Sequence, residues 1–222
     1  MARHRLLFQK DGRAIYLSHL DLMRTMQRAF VRAKVKIRHT EGFNPHPYIS
    51  VALPLSVGVE SKVELLDFEL VDDTPLETLP ERLTAELPEG ITVREAYEAE
   101  RKAKEIAFLR LAGTLDYDAW EDTAEIARKL GALFGQAEIP VKKRTKKKEE
   151  TEINLRPLIR ELRFTSTAPK KLTLEALVAA QNPPLSPNLL IAAIEQNEKS
   201  LSPDFAAFMR LELYDKDGKV FR

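Results

Sequence analysis

The chain has 222 residues, 44% of them hydrophobic and 31% charged, which supplies a real core and excludes wholesale disorder. Its 35 Lys and Arg against 34 Asp and Glu leave a formal net charge of +1, and it contains no cysteine. That excludes a uniformly basic nucleic-acid binder, disulfides, thiolate catalysis and cysteine-held zinc or iron–sulfur sites within this chain.

In chain order, residues 3–9 read as a strand and Asp11-Gly12 as a turn. Ser18 is a good N-cap, with Asp21 in capping-box position. A helix is expected from about 19 to 33. At 100° per residue, Leu22, Met26, Ala29, Phe30 and Ala33 share one face, and Arg24, Arg28 and Arg32 line the opposite one. Val35–His39 alternates like a short strand. Residues 41–47 contain Gly42, Pro45 and Pro47 and therefore form no regular element. Strands are expected at 48–55 and 62–71, a short helix at 76–87 and a strand at 91–98.

A second series follows. It has a strand at 105–117, a helix ending near Gly135, strands near 138–144, 150–155 and 161–167, helices at 172–180 and 187–197, and a closing strand at 207–215. The expected fold class is therefore α+β: two ferredoxin-like (βαββαβ) units with antiparallel sheets, the first carrying an added hairpin around 50–60. The polar stretch 98–104 places the boundary, giving units 1–100 and 101–222. No run of 18 apolar residues is present, so no membrane-spanning helix is expected. The N-terminus does not read as a signal peptide, and a cytoplasmic protein is the simplest expectation.

The balanced total hides a partition. Residues 1–50 carry ten Lys and Arg against three Asp and Glu, whereas 51–100 carry three against thirteen. Such a division either steers an anionic partner or lets two parts of one fold neutralise each other. All four histidines fall at positions 4, 19, 39 and 46.

Four features can carry chemistry. Ser18 and His19 open the first helix near its apolar stripe, where free N–H groups favour a bound phosphate or carboxylate. The alternative is a buried histidine bonded to a backbone carbonyl. The second feature is the loop: Pro45 and Pro47 stiffen it and hold Asn44 and His46 extended, while Gly42 permits a positive φ. It reads equally as a rigid binding segment or as a simple turn anchored by Phe43. Third, Arg24 and Arg28 recur at helical spacing and suit RNA phosphates, with a solvated face as the alternative; Arg32 reads as pairing with the acidic half. Fourth, the run Lys142, Lys143, Arg144, Lys146, Lys147 and Lys148 suits non-specific phosphate contact or a charged loop. A metal site from Asp21, His19, His39, Glu41 and His46 lacks a compact ligand motif and is not expected. No nucleophile or forced carboxylate pair stands out, so no catalytic residue is assigned and no cofactor is expected.

The blocks Ser18-His19-Leu20-Asp21-Leu22-Met23-Arg24 and Glu41-Gly42-Phe43-Asn44-Pro45-His46-Pro47, with Ile49–Leu55, Gly58, Ser61 and Glu64, resemble the uncharacterised radical-SAM-linked protein family. Members occur alone or as the C-terminal region of a radical-SAM protein. The family has no established activity. The resemblance implies a radical-SAM enzyme as partner, and the absence of cysteine agrees with that enzyme holding the cluster. The expected function is a non-catalytic module that binds or positions a substrate, with RNA or a ribosome-related substrate leading. A metal-independent ribonuclease using His19 or His46, and a structural adaptor, are the alternatives.

Overall fold

The structure is a computed structural model, and it describes residues 3–144 and 150–222, except for the side chain of Arg144. Thr145–Glu149 lie outside the described residues, so the expectation for Lys146, Lys147 and Lys148 falls there. The described residues form four α-helices and a mostly antiparallel set of strands, divided into two compact units. Unit 1 runs to Glu105 and includes Arg222; unit 2 spans Ile106–Phe221.

Unit 1 contains β1 (His4–Lys10), α1 (His19–Arg32), β2 (Ile49–Ala52), β3 (Val59–Phe68), α2 (Leu79–Thr84) and β4 (Ile91–Glu98). Its strands lie in the order β4-β1-β3-β2, each pair antiparallel. Strand alternation sends Leu6 and Phe8 of β1 and Leu66 and Phe68 of β3 to one face. There they meet Leu22, Met26, Ala29 and Phe30 of α1, with the Phe30 and Phe68 rings 5.1 Å apart. Each large apolar side chain buried in this way contributes about 1.5–3 kcal/mol.

Helix α1 starts at the Ser18 cap, whose hydroxyl accepts from the Asp21 amide at 3.2 Å and donates to its carboxylate at 2.7 Å. It stops where Lys34 takes φ 54° and the Val35 amide reaches back to the Phe30 carbonyl at 3.0 Å. Arg82 adds a guanidinium to the half-buried Ala33 carbonyl at 2.8 Å.

Unit 2 contains β5 (Ile106–Asp116), α3 (Ala124–Phe134), β6 (Pro140–Arg144), β7 (Glu150–Asn154), β8 (Ile159–Ala168), β9 (Lys171–Ala179), α4 (Pro187–Asn197) and β10 (Phe205–Asp215). Its main sheet has the order β10-β5-β9-β8, all antiparallel, and β6 pairs with β7 as a separate hairpin.

Three sequence expectations need correction. Residues 172–180 are not helical but belong to β9. Leu172, Leu174, Ala176 and Val178 alternate into the core, and pairing on both sides overrides the helix propensity of Leu, Glu and Ala. Residues 35–39 make only isolated bridges, Ile37 with Leu70 and His39 with Pro47. The pair around 50–60 is β2 and β3 themselves, so unit 1 shows no added hairpin among its described residues; the extra hairpin is β6–β7 in unit 2.

Gly113 of β5 has Leu174 and the Phe208 ring packed over its Cα, each 2.9 Å from where a Cβ would stand. Both neighbours are buried and have little room to withdraw. Gly113→Ala is therefore expected to destabilise unit 2 by about 1–3 kcal/mol, read as a lower urea midpoint with unchanged slope. An unchanged midpoint would contradict this packing.

Candidate functional site

Much of the charge partition is neutralised inside unit 1. Arg5, fully buried, grips Asp67 with two bonds of 2.6 and 3.0 Å and donates to the Arg101 carbonyl at 3.0 Å. Arg32 pairs with Glu86 at 2.9 Å and also donates to its carbonyl. Arg38 pairs with Glu69 at 3.1 Å while lying over the Tyr48 ring, 5.2 Å from its centre. The basic residues 5, 32 and 38 thus meet acids from the 51–100 stretch.

Arg24 and Arg28 stay outside that network. Arg24 touches only Asp21 of its own helix, at 3.5 Å with both side chains more than half exposed, an arrangement of little energetic weight. Arg28 is exposed and has no ion pair among the described residues. Together with Gln27, Val31 and Arg32 they line one side of a groove of ≈ 450 Å³, and Pro47 lines the other. Val31 gives this cationic face an apolar floor, 64% exposed.

Pro47 reaches the groove because the loop is tied down. The Gln27 amide donates to the Pro47 carbonyl at 3.2 Å. The Thr40 amide donates to the His46 carbonyl at 2.9 Å, and the His46 amide returns to the Thr40 hydroxyl at 3.2 Å. Nδ1 of His46 lies 3.2 Å from both the Thr40 hydroxyl and the Asn44 carbonyl. A protonated Nδ1 donates to the carbonyl, and an unprotonated Nδ1 accepts from the Thr40 hydroxyl. His39 is held the same way, its Nδ1 3.0 Å from the Ile37 carbonyl. Gly42 takes φ +127° with open space around it, a conformation that side-chain-bearing residues rarely adopt.

The sequence candidates therefore fall into separate places. The structure brings Arg24, Arg28 and Pro47 together. Asn44, Pro45 and His46 are exposed on the loop, and Ser18 is engaged as a cap. His19 is exposed rather than set in the apolar stripe, because the core begins only at Leu22 and the first turn, including exposed Leu20, projects past it. No hydrogen bond among the described residues joins His19 to the loop. Phe43 is not the anchor of the turn, since it is fully exposed. Gln27 and Val31 line the same groove, and their spacing between and after Arg24 and Arg28 is the sequence signal for it. No group of three His, Asp or Glu able to hold a metal occurs among the described residues.

A second cleft, of ≈ 390 Å³, is lined by His4, Leu70, Asp72, Asp73 and Thr74. The Thr74 hydroxyl and amide bond the Asp72 carboxylate at 2.5 and 3.3 Å and hold its pKa below the ordinary value. This is a self-contained turn.

The basic hairpin keeps Lys142 and Lys143 exposed. In the β6–β7 register Lys142 faces Glu152, Lys143 faces Thr151, and Arg144 faces Glu150. Its base is pinned: Gln196 of α4 accepts from the Lys142 amide at 2.8 Å and donates to its carbonyl at 3.0 Å. Asn197 donates to the Pro140 carbonyl at 3.0 Å.

One family model matches residues 3–187, described as an uncharacterised protein conserved in bacteria, DUF2344. The chain belongs to this family. No curated protein matches it. Among solved structures the DUF2344 chain is similar to one chain from "Crystal Structure of a Cbf5-Nop10-Gar1 Complex", with 8% identity and a TM-score of 0.51. That likeness covers 95% of this chain and 48% of the other, so this chain spans about half its length. At this identity it concerns the fold alone. A second comparison, "Crystal Structure of an Unknown Protein from Galdieria sulphuraria", covers 96% and 98% at 10% identity, with a TM-score of 0.27.

Thr40→Val removes the hydroxyl that holds the His46 amide while keeping the side-chain shape. The lost bond, about 0.5–1.5 kcal/mol, is expected to speed exchange of the His46 amide roughly two- to tenfold with the amides of α1 unaffected. Unaltered exchange at His46 would show that the loop is held otherwise.

Proposed function

We propose that this DUF2344 chain is a non-catalytic binding module that takes RNA on the α1 arginine face and positions it for a radical-SAM enzyme. The observation that carries the reading is the exclusion of Arg24 and Arg28 from the internal ion-pair network while they line a groove with Pro47. Two exposed guanidiniums at (i, i+4) spacing suit successive phosphates, because each presents a planar fork of donors to an oxyanion. Gln27 between them adds an amide, and Val31 an apolar floor. The volume, ≈ 450 Å³, lies in the range of small-ligand clefts and accommodates a short stretch of a polyanion.

The radical-SAM partner follows from the resemblance of Ser18–Arg24 and Glu41–Pro47 to the radical-SAM-linked family. These blocks supply α1 and the loop that form the groove, which supports placing substrate and partner at one region. The reading further takes both units as diverged copies of a ferredoxin-like plan. The matching orders β4-β1-β3-β2 and β10-β5-β9-β8, all antiparallel, support it. On this reading β6–β7 is an insertion in the second copy, and Lys142 and Lys143 add non-specific phosphate contacts. A cytoplasmic setting belongs to the same proposal. No helix among the described residues is long and apolar enough to cross a membrane.

The test is the salt dependence of RNA binding by the full chain. Arg24→Glu with Arg28→Glu is expected to weaken binding at least tenfold and to lower the slope of log K against log salt by about one to two, the contribution of two phosphate contacts. Both positions are exposed, so circular dichroism is expected to match the parent protein. Equal affinity and equal slope in the double variant would overturn the RNA reading.

A further inference from the structure

The groove has an unused aromatic neighbour. Phe43 is fully exposed and makes no ring contact among the described residues. The ring sits on a segment held at its base by the Thr40–His46 and Gln27–Pro47 bonds, with Gly42 setting the turn. Tyr48, the other loop aromatic, already carries the Arg38 guanidinium over one face. Asn44, beside Phe43, is exposed and offers an amide donor and acceptor. Phe43 lies four positions from Pro47 of the groove, at most about 14 Å of chain. An anionic strand lying on Arg24 and Arg28 therefore has a free aromatic face and a free amide within its reach.

We infer that Phe43 is a stacking platform for an unpaired base whose edge is met by Asn44, so that the ligand of the groove is single-stranded RNA. This rests on the reading of Arg24 and Arg28 as phosphate contacts. The charge is complementary to a phosphate backbone, and the exposed ring is complementary to a base that has left its own stack. A duplex cannot use the ring, because its bases are already stacked and its deep major groove admits no side chain.

The experiment is fluorescence anisotropy on the full chain with labelled single-stranded RNA, roughly 12 nucleotides long, and with the blunt duplex of the same sequence. The single strand is expected to bind at least tenfold tighter. Phe43→Ala should weaken single-strand binding about five- to a hundredfold and leave duplex binding unchanged, while Phe43→Trp should retain single-strand binding. The ring makes no packing contact, so the variants are expected to fold. Equal binding of the two RNAs, or unchanged single-strand binding by Phe43→Ala, overturns the role of Phe43 and leaves the arginine face standing. Failure to bind either RNA overturns the arginine face and this inference with it. Self-association of the parent chain that is lost in Phe43→Ala, with RNA binding unchanged, assigns the ring to a protein contact instead.

Discussion

A helix has one face to give to a core. In α1 the sheet of unit 1 takes Leu22, Met26, Ala29 and Phe30, and the 3.6-residue period leaves Arg24 and Arg28 on the far side. Burying a guanidinium without a partner costs far more than any one apolar contact supplies, so this arrangement is the stable one. Arg5 shows the exception and its condition: it is fully buried where the Asp67 carboxylate and the Arg101 carbonyl take its Nε and Nη2 donors. The acidic stretch then takes up Arg32 and Arg38 through Glu86 and Glu69. Arg28 and Arg24 are what this pairing leaves over at the groove.

An exposed cationic helix face is common and carries no function by itself. What changes its meaning is the loop. Gln27 sits between the two arginines and holds Pro47, so the same helix positions both walls of the groove. The Thr40–His46 pair closes the loop behind it, and Pro45 and Pro47 limit its conformations. Little ordering of this wall is left for a ligand to induce, which favours affinity. His46 turns Nδ1 to its own loop, 3.2 Å from the Asn44 carbonyl, which fixes how the ring is oriented.

Helix α1 was legible because capping, period and charge all agree from Ser18 to Arg32. The irregular loop was legible from its prolines and glycine. Strand β9 was not, because Lys171–Ala179 is rich in helix formers and only its pairing with β5 and β8 decides its state. The exposure of His19 was hidden because the period gives a direction around the helix but not where the core ends along it. Of the two readings of the loop, the turn anchored by Phe43 fails for a related reason: only the fold shows that nothing covers the ring. The register of the basic run, which sets Lys142 opposite Glu152, is fixed by strand pairing and not by sequence proximity, so it was not legible.

The most direct measurement of the central claim is ultraviolet cross-linking of the full chain to RNA, with the attached peptides identified by mass spectrometry. The account predicts cross-links concentrated in residues 24–32 and 41–48. Cross-links confined to other parts of the chain, or binding with none in those two segments, would contradict it.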